Sequence, residues 1–158
     1  MLVVTLLASL LPASHVLLDV VAADKQAVFD LVGGLLESES GIRRSQIASS
    51  LAARERSGST ALGHGIAIPH GRVKGLRTAT GAFIRTREPI PFDAPDDAPV
   101  QLIFALLVPE KSTDLHLEIL SELAQLFSNR ALRHELATAS DALTAQRLIA
   151  RAGSPARE

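Results

Sequence analysis

The chain has 158 residues, of which 47% are hydrophobic and 21% are charged, and this balance excludes a disordered or collagen-like protein. It contains no cysteine, which excludes disulfides, thiol catalysis and cysteine-based zinc sites and is compatible with a reducing compartment. The formal net charge is −1, and Trp and Tyr are absent, so the chain lacks the charge and the aromatic residues typical of a nucleic-acid-binding surface. This length predicts one domain with a sizeable core.

The charges are segregated along the chain. The segment from residue 43 to residue 87 holds nine basic residues and a single acid, Glu55, and therefore has a net charge of +8, whereas the rest of the chain has a net charge of −9. The nine are Arg43, Arg44, Arg54, Arg56, Arg72, Lys74, Arg77, Arg85 and Arg87. Such segregation favours a surface that meets an anionic partner, although solvated loops and helix faces would explain it equally well.

The N-terminal residues 2–11 are mostly apolar. A signal peptide has a positively charged region before its apolar stretch, but the first basic residue here is Lys25. The stretch is also far shorter than the roughly 20 residues of a membrane-spanning helix. We therefore predict that residues 1–11 form a helix or strand packed on the domain, and that the protein is neither secreted nor inserted in a membrane.

The first half of the chain then predicts a strand and two helices. The strand covers residues 15–21, which are rich in apolar and β-branched side chains. Asp24 is predicted to cap a helix whose apolar residues recur at helical spacing, although the Gly33-Gly34 pair weakens this pattern. Ser45 is predicted to cap the second helix.

A turn-rich stretch of residues 57–75 follows, and it contains a short apolar strand at 66–68 that ends at Pro69-His70. The remaining predicted elements are a strand at 78–86, a loop at 88–99, a central strand at 100–108 that is buried on both faces, and helices at 115–127, 132–139 and 141–149. Strands that alternate with helices predict an α/β layered domain. Residues 151–158 are predicted to be a frayed tail.

Five histidines are candidates for chemistry: His15, His64, His70, His116 and His134. His70 is distinguished by its setting, because Pro69 restricts the backbone before it and the neighbouring glycines allow a tight bend. The spacing of His64 and His70 does not fit a zinc motif, and the chain has no serine-hydrolase elbow, P-loop or dinucleotide fingerprint. A nucleophilic histidine that accepts a phosphoryl group remains, with Arg, a second His and backbone amides as the groups that would neutralise its charge.

Three parts of the chain then carry a resemblance to a known family. Residues 54–71 (RERSGSTALGHGIAIPHG), residues 91–95 followed by 102–109, and residues 116–120 are similar in order and spacing to segments of the fructose/mannitol-type enzyme IIA of the bacterial phosphotransferase system. The similarity extends over about residues 12–150, which we therefore predict to be the IIA (PTS EIIA type-2) domain. Because no membrane-channel or IIB segment accompanies this domain, the chain most resembles the stand-alone nitrogen-regulatory members of the family.

The resemblance implies a single domain with a mixed β-sheet flanked by helices on both faces. It implies that His70 is phosphorylated on Nε2 by an HPr-like phosphocarrier protein, that His116 is the second histidine beside it, and that Arg54 is the arginine of the same pocket. No cofactor or metal is implied. His64 stands where the family often has Asn, and it receives no catalytic role. Without the resemblance, His116 would be interpreted as an exposed residue at a helix N-terminus, and Arg54 as a surface cation that closes a helix.

The resemblance further implies a cytoplasmic phosphoryl carrier of the nitrogen-related phosphotransferase system. Its phosphorylation state would regulate target proteins, for which potassium transport proteins and sensor kinases are the candidates. The alternative is a sugar-specific IIA subunit that passes the phosphoryl group to a IIB partner for fructose or mannitol uptake. A third hypothesis is a binding module that has kept the fold and lost the chemistry.

Overall fold

A mixed sheet of six strands forms the centre of the structure, a computed structural model that describes residues 7–112 and 114–152. The strands are β1 (Val16–Val20), β2 (Ala61–Gly63), β3 (Ile66–Ala67), β4 (His70–Val73), β5 (Thr80–Ile90) and β6 (Val100–Pro109). The helical residues are 7–10 (α1), Lys25–Ser40 (α2), Arg44–Arg56 (α3), Asp114–Phe127 (α4), Arg130–Thr138 (α5) and Ala142–Ala152 (α6), with a 3-10 turn at Ala13–His15.

The strand order is β1-β5-β6-β3-β2, and β4 also pairs with β6. The pairs β5/β6 and β2/β3 are antiparallel, whereas β1 runs parallel to β5, and both β3 and β4 run parallel to β6. Ile66 lies opposite Leu102 and His70 lies opposite Leu106, so β3 and β4 follow one another along the same edge of β6. Residues 66–73 are therefore one strand that is interrupted at Ile68-Pro69.

Two hydrophobic cores lie on the two faces of the sheet. Strand β6 contributes to both, because alternate residues of a strand point to opposite faces. Phe104 and Leu106 pack with apolar residues of α1, α4, α5 and α6, whereas Ile103 and Ala105 pack with apolar residues of α2 and α3. All four side chains are completely buried, which confirms both the predicted central strand and the sheet with helices on both faces.

Helices α2 and α3 show one correct and one wrong prediction about caps. Asp24 caps α2 as predicted, since its side chain accepts a hydrogen bond from the Ala27 N–H at 3.0 Å. The prediction that Ser45 caps α3 is wrong, because α3 begins at Arg44, so Ser45 lies inside the helix; the cap position, Arg43, makes no side-chain cap bond. The Glu37 carboxylate of α2 instead accepts the bond from the Arg44 N–H at 3.0 Å. A helix end can therefore be satisfied by a side chain from its neighbour.

Other boundaries differ by a few residues. Strand β5 continues to Ile90, so the loop predicted at 88–99 begins only after this residue. The short strand β4 was not predicted. Helix α6 includes residues 151 and 152, and residues 153–158 of the predicted frayed tail lie outside the described residues.

The N-terminal apolar segment packs on the domain where it is described. Leu7, Leu10 and Leu11 are each 1% exposed and belong to the core on the α4–α6 face. Residues 1–6 of this predicted segment lie outside the described residues. No helix within the described ranges is both long enough and apolar enough to cross a membrane.

Candidate functional site

A cleft of about 640 Å³ opens where β4, α3 and the first turn of α4 meet. All three residues that the sequence proposed for a site line this cleft, namely His70, His116 and Arg54. Its other lining residues are Gln46, Ser49, Ser50, Ala53, Gly71, Arg72, Val73, Lys74 and Glu110. Residues from three separate stretches of the sequence are thus brought to one concave surface.

His70 is held in one orientation by the break in the interrupted strand. It is the first residue of β4, rather than the residue that follows a strand as the sequence suggested. Its ring Nδ1 lies 2.8 Å from the carbonyl oxygen of Ile68, which lies in the break. A carbonyl oxygen only accepts hydrogen bonds, so Nδ1 carries the proton and Nε2 keeps its lone pair. The half-buried His70 therefore offers Nε2 as its nucleophilic atom.

His116 lies beside His70 and is buried, which contradicts its interpretation as an exposed residue at a helix N-terminus. His116 is the third residue of α4 and is 8% exposed, and its ring centroid is 5.3 Å from that of His70. The two ring planes are inclined by 71°. Neither ring nitrogen of His116 has a hydrogen-bond partner among the described residues. A buried polar group without a partner is costly, so this ring is suited to bind a group that enters the cleft.

The surroundings keep both imidazoles neutral near pH 7. Burial is the main cause that lowers the pKa of His70, and the Arg54 cation lowers it further, against the opposing effects of the Ile68 hydrogen bond and of Glu55. Burial also lowers the pKa of His116, with further contributions from His70, Arg72 and Arg54. A neutral imidazole has the free lone pair that a nucleophile needs.

Arg54 fits both of the roles that the sequence allowed. It lies in the last turn of α3, and its guanidinium donates a hydrogen bond of 2.9 Å to the Gly58 carbonyl, which closes the helix end. The same side chain lines the cleft. The next residue, Glu55, is buried, and its carboxylate accepts bonds from the Thr60 N–H at 3.0 Å, the Thr60 hydroxyl at 2.7 Å and the Lys25 ammonium at 3.0 Å. Glu55 thereby fixes the turn that follows Arg54.

The basic segment divides into structural cations and cations that face the cleft. Arg85 is 6% exposed, binds the carbonyls of Leu136 and Ala139 at the end of α5, and pairs with Asp19 at 3.0 Å. Arg44 pairs with Glu37. Only part of the segment's charge, from Arg54, Arg72 and Lys74, lines the cleft. The sequence proposal did not include Arg72 or Lys74, although their alternation with His70 was visible in it.

The remaining histidines lie elsewhere. His64 occupies a left-handed turn position with φ of 57°, and it lines a separate groove together with Arg130, Arg133 and His134. His15 is buried, with its ring nitrogens 2.9 Å from the Gly81 carbonyl oxygen and 2.6 Å from a Glu39 carboxylate oxygen, as expected of a packing residue. Within residues 7–112 and 114–152, no group of three or more His, Asp or Glu side chains is arranged to hold a metal ion.

Comparison with known proteins identifies the family of this chain. Residues 9–152 match the family model described as phosphoenolpyruvate-dependent sugar phosphotransferase system, EIIA 2. The chain is 38% identical over 137 residues to a nitrogen regulatory protein of Pseudomonas aeruginosa, which covers 86% of this chain and 89% of that protein. It is 39% identical over 97 residues to a fructose-specific EIIA component of Haloferax volcanii, covering 61% of this chain and 63% of that protein.

The crystal structure of the nitrogen regulatory protein IIA-Ntr from Neisseria meningitidis has the same fold, with a TM-score of 0.88 and 51% sequence identity. The match covers 91% of this chain and 99% of that one. The family model spans the cleft and every strand of the sheet. Together with these relatives, it assigns the chain to a protein family. The chain belongs to the type 2 EIIA family of the phosphoenolpyruvate-dependent sugar phosphotransferase system.

Proposed function

We propose that this protein is a phosphoryl carrier that accepts a phosphoryl group on Nε2 of His70 from an HPr-like phosphocarrier. The observation that carries the proposal is the arrangement of the two rings. The Nδ1–H of His70 donates a hydrogen bond to the Ile68 carbonyl oxygen, which leaves the Nε2 lone pair free. The ring centroid of the buried His116 is 5.3 Å from that of His70, and the His116 ring has no hydrogen-bond partner among the described residues. The nitrogen regulatory relatives support the same function.

The transfer step balances without a cofactor. The Nε2 lone pair of neutral His70 attacks the phosphorus of the phosphorylated carrier, and a phosphorus–nitrogen bond forms. The phosphorus–nitrogen bond of the donor breaks, and its electron pair returns to the donor imidazole. Each ring keeps its other nitrogen-bound proton, so no proton has to be supplied. The site contributes mainly position and charge, which is what phosphoryl transfer requires. In this scheme Arg54 and an N–H of His116 bind the phosphoryl oxygens.

The regulatory part of the proposal follows from charge. A phosphoryl group adds about 1.5 to 2 negative charges near pH 7. Added to a cleft lined by Arg54, Arg72 and Lys74, it changes the electrostatic surface that a partner meets. Regulated target proteins would therefore bind one state in preference to the other. The nitrogen regulatory relatives favour a regulatory output. The cytoplasmic location, and potassium transport proteins and sensor kinases as candidate targets, are proposed from the sequence resemblance alone.

The test is phosphorylation of the intact chain by a phosphorylated HPr-like carrier, followed by mass spectrometry. We expect wild type and His134→Gln to gain one phosphoryl group and His70→Gln to gain none, because His134 is exposed and lies in the separate groove. Equal labelling of His70→Gln would contradict the assignment of the acceptor. An unlabelled wild type that still binds partner proteins would favour the binding module that has lost its chemistry.

A sugar-specific role is the second candidate, because the Haloferax volcanii relative is a fructose-specific EIIA component. The two roles differ in where the phosphoryl group goes. Phosphorylated protein is mixed with a fructose-type and a mannitol-type IIB domain, and the label on each is followed in time. Fast transfer to IIB would support the sugar role. Retention of the label, together with binding of a target that depends on phosphorylation, would support the regulatory role.

A further inference from the structure

Arg72 lies on the same face of strand β4 as His70. Alternate residues of a strand point to the same side, and β4 shows this pattern clearly. Gly71 and Val73 are buried, with Gly71 against Ser50 of α3 and Val73 in the core of the α2–α3 face. His70 and Arg72 point the other way, and both line the cleft. The proposed nucleophile and the guanidinium therefore belong to residues that are two positions apart on one face of the strand.

The guanidinium of Arg72 is not committed to the fold. Among the described residues its side chain makes no hydrogen bond or ion pair, and only its backbone carbonyl is used, as acceptor for the Ser50 hydroxyl. Arg54, by contrast, already donates to the Gly58 carbonyl, and Arg85 is fully engaged at the end of α5. Arg72 therefore has its full set of donors available for an anion in the cleft.

The charge of Arg72 also reaches the second ring. Arg72 and His116 line the same cleft, and the positive charge of Arg72 is one of the causes that lower the pKa of His116. Because Arg72 lines the same cleft as His70 and His116, its cation stabilises negative charge that enters the cleft. Among the described residues that line the cleft there is one acid, Glu110, against the three cations Arg54, Arg72 and Lys74. The net field of the described cleft residues thus favours an anion.

We propose that Arg72 is a second phosphoryl-binding arginine of this protein. The inference rests on the proposed function, since it assigns a partner to the phosphoryl group on His70. Arg72 binds the phosphoryl oxygens from the β4 side, while Arg54 binds them from the α3 side. A planar guanidinium can donate two parallel bonds to a phosphoryl group, which fixes its orientation as well as its charge. Arg72 therefore raises the stability of the phosphorylated form relative to that of the donor carrier.

The experiment compares Arg72→Gln with Arg77→Gln, which removes the same charge from an exposed residue of the same segment that does not line the cleft. The transfer equilibrium with the phosphorylated carrier is measured for each variant. We expect Arg72→Gln to shift it against this protein by about tenfold to a hundredfold, the value of one charge-assisted hydrogen bond, and Arg77→Gln to leave it within about twofold. Arg72→Lys should restore part of the shift, because charge returns without the paired donors.

Two further readouts separate binding from a structural effect. In phosphorus NMR, the pKa of the phosphoryl group should rise in phosphorylated Arg72→Gln, because a cation that favours the dianion is lost. In a second measurement, the unphosphorylated chain is titrated with inorganic phosphate, and binding is monitored by the proton NMR signals of His116. Phosphate should bind more weakly to Arg72→Gln than to Arg77→Gln. Identical phosphate binding and identical phosphoryl pKa in the two variants would overturn the inference. Failure of wild type to accept a phosphoryl group would instead overturn the proposed function, and the phosphate titration would still test Arg72.

Discussion

Gly71 follows His70 in strand β4 and packs closely against Ser50 of helix α3. A Cβ at this position would overlap the Ser50 hydroxyl oxygen and would lie 3.2 Å from the Ser50 carbonyl oxygen. Overpacking of this kind costs about 1–3 kcal/mol. If the Ser50 hydroxyl rotates away, it also gives up its 3.0 Å bond to the Arg72 carbonyl, which is worth about 1 kcal/mol. We therefore expect Gly71→Ala to lower the free energy of unfolding by about 2–4 kcal/mol.

Urea denaturation at equilibrium, followed by circular dichroism, measures this loss in a double-mutant cycle. Ser50→Ala alone should cost about 1 kcal/mol, the value of its hydrogen bond. The double variant Gly71→Ala/Ser50→Ala should be more stable than the sum of the two changes predicts, by about 1–2 kcal/mol, because the overlapping oxygen is gone. Ser49→Ala is the control, since it removes an exposed hydroxyl from the neighbouring residue and should change the free energy by less than about 0.5 kcal/mol.

Strict additivity of Gly71→Ala and Ser50→Ala, within about 0.5 kcal/mol, would refute this reasoning. It would mean that the strand accommodates a methyl group by moving away from α3 as a whole. In that case His70 would move with the strand, and phosphotransfer would fall in the double variant as much as in Gly71→Ala.

Three further predictions concern buried charge and pH. Glu55→Ala should cost about 2–4 kcal/mol in urea denaturation, because it leaves the two buried Thr60 donors without their acceptor, whereas Lys25 keeps its ion pair with Asp93; Glu55→Gln should cost less. Arg85→Ala should cost about 3 kcal/mol or more in the same assay, because it removes the donors that bind the carbonyls at the end of α5. The free energy of unfolding should fall as the pH drops below the ordinary histidine pKa of 6.5, because the unfolded chain then binds protons that the neutral rings of His70 and His116 do not accept. The slope of the free energy of unfolding against pH should be at most about 1.4 kcal/mol per pH unit for each ring, and it should decrease in His116→Phe. A free energy of unfolding that stays constant between about pH 5 and about pH 7 would contradict the lowered pKa values.

The layered fold was predictable because its main elements carry strong periodic signals. The apolar run of β6 and the apolar spacing of α4 can be recognised from their own residues, without knowledge of the elements that pack against them. The cap of α3 was not predictable, since the acceptor of the Arg44 N–H is Glu37, which precedes it by a loop and depends on how two helices pack. The Gly33-Gly34 pair weakened the prediction of α2 for a similar reason. A Cβ on Gly33 would lie 2.5 Å from the Arg44 carbonyl oxygen, so glycine is required there by close approach of α3.

Part of the candidate site could likewise be predicted from the sequence, and part could not. His70 could be identified from its local setting of proline and glycines, and the resemblance to a family supplied His116 and Arg54. Strand β4 was missed because it is four residues long, with a glycine and an exposed arginine, and is held by pairing with β6 and by α3. Since β4 was missed, the common face of His70 and Arg72 was missed as well. The apolar spacing predicts Leu115, Ile119, Leu123 and Leu126 as the buried stripe of α4. The last three are buried, but Leu115 is 38% exposed, and His116 occupies the buried position at this end of the helix.

The break at Ile68-Pro69 has a consequence for the regiochemistry of modification. A free peptide of residues 66–73 would expose both imidazole nitrogens, and an electrophile would give a mixture of positional isomers. In the folded domain the Ile68 carbonyl blocks one of them, so a single isomer should form. The ratio of isomers after treatment with a small phosphorylating reagent would therefore report how intact the domain is around this bend.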